Sequence, residues 1–220
     1  MPAPTLAEDF LQLILDDDSG KRVVGRLEAT RGLAGAVLVD LVQAGRVAQA
    51  EEEDDERTGR FVVRDASPTG DPVWDEALER LGDKPRTGRR AVEKLVKGAE
   101  TAVRERLVER GVVRQEEPSV LGVFPTKRWP ASDSRHEEQL MQRIESVLAG
   151  GAVPDQRTAD LIALLHAVRA AHKVIDGDRK TLKARAEEIA EDNPGGDAVR
   201  RAVHAVRAVV VTVATSGAGV

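Results

Sequence analysis

The side chains best suited to chemistry in this sequence are basic, and they cluster in one loop and the helix that we predict after it. Residues 84–114 include ten basic and four acidic side chains, although the 220-residue chain has a formal net charge of −5. The basic residues of the loop and helix are Lys84, Arg86, Arg89, Arg90, Lys94, Lys97, Arg104, Arg106 and Arg110. Guanidinium and ammonium groups on one face are suited to binding phosphate groups. A local anionic partner is one interpretation of this segment, and a solvated helix face is the other.

The spacing of these residues predicts how they are displayed. Apolar residues recur with helical spacing through residues 91–110, which predicts one continuous helix. On such a helix Lys97 and Arg104, seven residues apart, would share a side with Lys94 or Arg90. We therefore expect these cations to line one side of the helix.

A second segment that suggests binding follows the helix. Residues 111–116 and 120–126 predict a β-hairpin whose second arm is apolar. The apolar side chains of that arm are Val120, Leu121, Val123 and Phe124. An apolar hairpin beside a basic face would let a protein dock on an anionic membrane surface. The alternative interpretation is an arm buried in a sheet.

No pattern in the sequence indicates catalysis. The histidines at positions 136, 166, 172 and 204 lack metal-ligand spacing, and the chain has no cysteine. There is no GxSxG, GxGxxG or Walker A pattern. We therefore expect no catalytic residue, no metal and no cofactor.

The sequence also shows no recognisable targeting signal. The first ten residues, MPAPTLAEDF, lack the basic and apolar regions of a signal peptide. The most apolar stretch, residues 205–214, is shorter than the roughly 20 residues that span a bilayer. We expect a cytoplasmic protein whose membrane contact, if it has one, is peripheral.

The elements that would position these residues are predicted to be mostly helical. Aromatic residues make up 2% of the chain, so the core must consist of Leu, Val, Ile and Ala, which favours helices packed on aliphatic stripes. We expect a single mainly α domain over residues 1–220, with small β-hairpins at 46–65 and 111–126. A capping box at Thr5 and Glu8 and the pair Asp71–Pro72 predict two helix starts. Further helices are predicted at 32–44, 91–110, 134–149, 155–175, 178–192 and 197–214, with a short strand at 21–24.

Two other functions fit parts of this pattern. Residues 91–126 have the helix–Gly–hairpin order of a winged-helix DNA-binding protein. Four glutamates interrupt that helix and the whole chain is acidic, so nucleic acid is not the expected partner. A protein-interaction module that forms a homo-oligomer through the 111–126 hairpin is the third interpretation.

Five segments, in order along the chain, resemble the Golgi phosphoprotein family. They are LAEDFLQLILDDDSG (6–20), GLAGAVLVDLVQAGRV (32–47), DASPTGDPVWDEAL (65–78), VRERLVERGVV (103–113) and LIALLHAVRAA (161–171). The family has bacterial members, and its eukaryotic members recognise phosphatidylinositol 4-phosphate on Golgi membranes. The resemblance implies a mostly helical domain with a protruding apolar hairpin. It further implies a peripheral membrane adaptor without catalytic activity, whose partner is an anionic, phosphoinositide-like lipid.

The resemblance also implies where the headgroup would bind. The family's Trp and first Arg fall at Gly25 and Ala34 in this chain, and its two further Arg residues fall near Lys97 and Glu100. One positive charge is thus kept, and neighbouring cations are the candidates to replace the others. The resulting headgroup-binding set is Arg26, Arg31, Arg89, Arg90, Lys97 and Arg104. The membrane-inserting hairpin would be Val120, Leu121, Val123 and Phe124.

Overall fold

The structure is a computed structural model that describes residues 3–16, 19–50, 59–115, 129–132 and 134–216. Residues 213–216 are described by their backbone alone. Helices dominate the described part of the chain, in agreement with the mainly α prediction. The helices are α1 (Leu6–Leu13), α2 (Arg26–Gln43), α3 (Pro72–Leu81), α4 (Gly88–Glu109), α5 (Arg135–Leu148), α6 (Gln156–Ala167), α7 (Ala171–Val174), α8 (Arg179–Glu191) and α9 (Gly196–Ser216). Two short strands, β1 (Val47–Gln49) and β2 (Phe61–Val63), lie between α2 and α3.

Helix α2 is the centre of the fold, because α1, α4, α6 and α9 all pack against it. Nearly all of its second half is buried. Small residues allow the close approach: a Cβ atom on Gly35 would overlap Val206 of α9, and one on Gly32 would overlap Phe10 of α1. The core around α2 is aliphatic, as the composition predicts.

A buried carboxylate joins α1 to α2. The N–H groups of Leu6 and Ala7 donate to the two carboxylate oxygens of Asp40, at 2.8 and 3.0 Å. The predicted capping box of Thr5 and Glu8 is also formed at this helix start. Asp40 thus satisfies backbone donors that the first turn of α1 cannot pair within the helix.

The start of α3 agrees with its sequence. Asp71 is the N-cap and accepts the Val73 N–H at 3.0 Å, and Pro72 takes the first helical position. The second carboxylate oxygen of Asp71 accepts from Arg106 of α4. This residue therefore begins one helix and fastens it to another.

The predicted hairpin at 46–65 is confirmed as an antiparallel pair of β1 and β2 with Val47 opposite Val63. The predicted strand at 21–24 is wrong, since only Arg22 forms a bridge there, with Leu15. The helix predicted at 155–175 is broken at Arg169, whose φ is 59°, and becomes α6 and α7. Helix α2 begins at Arg26, six residues before its predicted start.

The prediction of a continuous helix over 91–110 is also wrong. Within α4, Lys97 has ψ 119° and Gly98 has φ 91°, so the helix is interrupted between Val96 and Ala99. A positive φ is readily adopted by glycine alone. The two halves of α4 consequently present their side chains with different phases.

Candidate functional site

The first half of α4 carries the open cations of the predicted basic segment. Thr87 caps this helix, with its hydroxyl accepting the Arg90 N–H. Arg89, Arg90 and Lys94 are exposed on the first turns. Among the described residues none of these three side chains has an ion-pair partner. They are therefore available to an anion in solution or on a membrane.

Two ion pairs connect α4 with the start of α2 and with the segment just before it. Arg31 Nη2 lies 3.1 Å from Glu93 Oε1, and Arg22 Nη1 lies 2.5 Å from Glu100 Oε1. Residue numbers rise along one partner and fall along the other, so the two segments run antiparallel. Arg26 lies between Arg22 and Arg31 in sequence, is exposed, and has no ion pair with any described residue.

Five cations lie on α2 and on the first half of α4, the two helices that pack together along the seam between them. They are Arg26, Arg31, Arg89, Arg90 and Lys94, called the basic surface below. Glu93 is the acidic side chain within it, and it neutralises Arg31, which is 12% exposed. The exposed Leu27 adjoins Arg26 and adds an apolar side chain at this end of α2.

Arg104 does not belong to the basic surface. Its guanidinium pairs with Glu100 and stacks on Trp129, 3.9 Å from the ring centroid. Its side chain is only 14% exposed. Cation–π contacts of this kind hold a side chain in place. The side chain of Arg104 is thus held by structural contacts. The sequence did not indicate the parts that Trp129 and Arg22 take in this cluster.

Lys97 also lies apart from the side that its spacing predicts. It lines a small cavity with Glu76 and Arg80 of α3, which pair with each other at 2.5 Å. The interruption at Lys97 and Gly98 means that helical spacing does not continue from Lys94 to Arg104. The helix of the winged-helix interpretation is therefore interrupted as well.

The apolar arm itself, Val120, Leu121, Val123 and Phe124, lies outside the described residues. The chain on either side of residues 116–128 is described, and its two ends are hydrogen-bonded together. Arg114 N–H donates to the Pro130 carbonyl at 3.1 Å, and Ser132 N–H donates to the Val112 carbonyl at 2.8 Å. Trp129, which follows the segment, stacks on Arg104 and packs against the backbone of Gly20. The base of the segment therefore lies beside Arg104, in the second half of α4.

Two other features are absent from the described residues. Across the described ranges, no group of three or more His, Asp or Glu side chains is arranged to hold a metal ion. None of the helices in the part of the chain that the structure describes has the length and apolarity needed to cross a bilayer.

The comparisons with known proteins agree with the family resemblance of the sequence. The family model described as Golgi phosphoprotein 3 (GPP34) matches residues 6–206. One curated relative is the vacuolar protein sorting-associated protein 74 of Eremothecium gossypii, which is 31% identical to this chain over 180 residues. The alignment covers 71% of this chain and 53% of the relative, so the chain spans about half of that protein's length.

Proposed function

This chain belongs to the Golgi phosphoprotein 3 family, and on that premise we propose that it is a peripheral adaptor that binds anionic lipid headgroups. Membership in the family supports a non-enzymatic, membrane-associated adaptor role. The buried cluster draws residues from α1 through α9, which supports treating the chain as a single domain.

The observation that carries the proposal is the position of the basic surface. Arg26 on α2 and Arg89, Arg90 and Lys94 on α4 are exposed and have no ion-pair partner among the described residues. The base of residues 116–128 contacts the second half of the same helix α4, through Trp129. Cations beside an apolar segment are the pattern of a protein that lies on an anionic membrane. In this proposal Val120, Leu121, Val123 and Phe124 enter the interface while the cations contact phosphate.

The proposal assigns the headgroup to cations other than those at the family positions. Gly25 and Ala34 have no charge, and Glu100 is already paired with Arg22 and Arg104. A headgroup at the seam would instead meet the open cations Arg26, Arg89 and Arg90, with Arg31 nearby. We therefore propose a phosphoinositide-like or other anionic lipid, without selectivity for phosphatidylinositol 4-phosphate.

The expected strength of binding follows from these groups. Each basic residue close to an anionic surface contributes about 1 kcal/mol at ordinary salt. Full burial of one side chain such as Val123 or Phe124 contributes roughly 1.5–3 kcal/mol. Because the electrostatic part is screened by ions, binding should be reversible and should weaken as salt is raised.

Vesicle co-sedimentation with the double variant Arg89→Glu/Arg90→Glu tests the proposal. We expect the wild type to pellet with anionic vesicles and to stay in the supernatant with neutral ones. The double variant should lose most of that binding, because two positive charges become negative, a net change of four units, where the headgroups lie. Arg143→Glu/Lys180→Glu is the matched control, since it makes the same change of charge at exposed positions of α5 and α8. Equal loss in both variants, or equal binding to neutral vesicles, would refute the proposal.

A further inference from the structure

A separate cavity of about 300 Å³ lies where the end of α6 meets α7, α8 and α9. Its ionisable lining is entirely basic or histidine, and none of these residues belongs to the basic surface. The lining side chains that matter are His166, Arg169, His172, Arg179, Lys183 and Arg207. A cavity of this size accommodates a small ligand.

The charges around the cavity are poorly balanced. Arg207 pairs with Glu187 of α8 at 3.2 Å, and both side chains are partly exposed. Arg169, Arg179 and Lys183 have no ion-pair partner among the residues that the structure describes. Four cations with one carboxylate between them leave a strongly positive concave site, which concentrates anions.

The two histidines report the same positive field. Burial, together with Arg207 and Lys183, lowers the pKa of His166, and Glu187 opposes this change only in part. Burial, Arg179 and Lys173 likewise lower the pKa of His172. His166 is nearly buried, with 9% of its surface exposed, and its ring has no hydrogen-bond partner among the described residues. Its nitrogen is therefore free to meet a ligand in the cavity.

The backbone at the rim is held in an unusual conformation. Arg169 has φ 59° and is the one non-glycine residue with a positive φ in the described ranges. A left-handed conformation is unfavourable for a side chain such as arginine. The turn places Arg169 on the cavity wall between α6 and α7.

We propose that this α6–α9 cavity is a second anion site, which takes a small ligand bearing two or more phosphate groups. Several arginine and lysine donors converge on it from α8, α9 and the α6–α7 turn, and such donors match phosphate oxygens. Val168 packs near Gly32 of α2, so the cavity lies toward the same end of α2 as Arg26. The phosphate can thus belong to a free metabolite or to a lipid headgroup, and the test separates the two.

Calorimetric titration of the full chain with pyrophosphate, compared with vesicle co-sedimentation, tests the proposal. The variant is Arg179→Gln/Lys183→Gln, at exposed positions where glutamine leaves the helix intact. The control Arg143→Gln/Lys180→Gln removes two exposed charges that do not line the cavity. We expect pyrophosphate affinity to fall at least about tenfold in the variant and to stay within about twofold of wild type in the control.

The outcomes also distinguish the ligand source and the two proposals. Loss of pyrophosphate binding in the variant alone identifies a free phosphate compound. Loss of anionic-vesicle binding in the variant, without pyrophosphate binding in the wild type, identifies a headgroup at this cavity. Unchanged behaviour of the variant in both assays overturns the second site. The variant Arg89→Glu/Arg90→Glu should keep its pyrophosphate affinity, so failure of the basic surface and failure of this cavity give different results.

Discussion

At the scale of single residues, two glutamates determine which cations of the seam stay open. Glu100 accepts both Arg22 and Arg104, and Glu93 accepts Arg31. Glu100 is itself only 15% exposed, whereas Glu93 is 40% exposed. Glu93 is therefore the carboxylate that an approaching anionic headgroup would meet. Its negative charge lowers the attraction between the basic surface and an anion.

Replacing Glu93 should strengthen binding to an anionic membrane. Glu93→Gln removes a repulsive charge and releases Arg31, and each cation near such a surface contributes about 1 kcal/mol. We expect the fraction of protein bound to anionic vesicles to rise, with an apparent affinity roughly fivefold higher. Glu145→Gln, an exposed acid on α5, is the control for net charge and should show little change. Weaker binding of Glu93→Gln would contradict the position assigned to the headgroup.

Asp40 should make the stability of the protein depend on pH. Burial raises the pKa of Asp40 to about 7 from an ordinary value of 3.8, although the Leu6 and Ala7 N–H groups favour the carboxylate. Because the folded-state pKa of Asp40 is raised, the contribution of Asp40 to the free energy of unfolding is complete below the unfolded-state pKa. That contribution is lost as pH rises through about 7. The stability of wild type relative to Asp40→Asn should therefore fall across this range, by on the order of 1–4 kcal/mol.

Chemical unfolding of both proteins between about pH 4 and about pH 8 measures this difference. The comparison cancels the other carboxylates, whose titration is common to the two proteins. A difference that stays constant, or that favours the wild type more as pH rises, would show that Asp40 is ionised throughout.

Residues with partners close in sequence were predictable, and those with distant partners were not. Asp71 caps the helix that starts one residue later, so the order Asp–Pro was sufficient to predict it. Arg104 was predicted to be open, yet it stacks on Trp129, which lies 25 residues away and belongs to no shared periodic pattern. Spacing within one helix cannot reveal a contact of that kind.

At the scale of elements, the interruption of α4 decides how the basic residues are divided. Residues 88–96 carry the open cations, and residues 99–109 carry arginines that pair with Glu8, Glu100 and Asp71. The sequence predicted helix throughout because the apolar residues on both sides of Gly98 keep helical spacing. Gly98 alone did not reveal the break, because the side chains that crowd it, Glu76 and Arg80, belong to α3 and are distant in sequence.

Gly98→Ala tests this interruption. Alanine is strained at φ 91°, and its Cβ would lie 3.0 Å from Glu76 Oε1. We expect a loss of stability of at least about 1–2 kcal/mol in chemical unfolding. Gly111→Ala is the matched control, because Gly111 has φ 70° but nothing within 4 Å of the added atom, so its loss should be smaller. In a continuous helix alanine would instead stabilise by about 1 kcal/mol, and that result would contradict the structure.

At the scale of the whole molecule, the protein is acidic and its positive charge is local. With a net charge of −5, it should be repelled by an anionic membrane in most orientations. We propose that the basic surface and residues 116–128, which both adjoin α4, make one orientation attractive. The mainly helical architecture and the family could be predicted from the sequence, but the arrangement of α2, α4 and Trp129 required the contacts between them.

The orientation on the membrane can be measured with single labels, because the chain contains no cysteine. Leu27 is 48% exposed beside Arg26, whereas Val153 is 92% exposed just before α6. Gln43 at the other end of α2 bonds Asp160 of α6 at 2.5 Å, which places Val153 toward that end. The length of α2 from Arg26 to Gln43 is about 25 Å.

Fluorophores attached to Leu27→Cys and to Val153→Cys, with vesicles carrying a headgroup-linked quencher, give the most direct test. We expect anionic vesicles to quench the label at position 27 strongly and the label at position 153 weakly, with neither quenched by neutral vesicles. Equal quenching at the two positions, or stronger quenching at position 153, would contradict the claim that the α2–α4 seam faces the membrane.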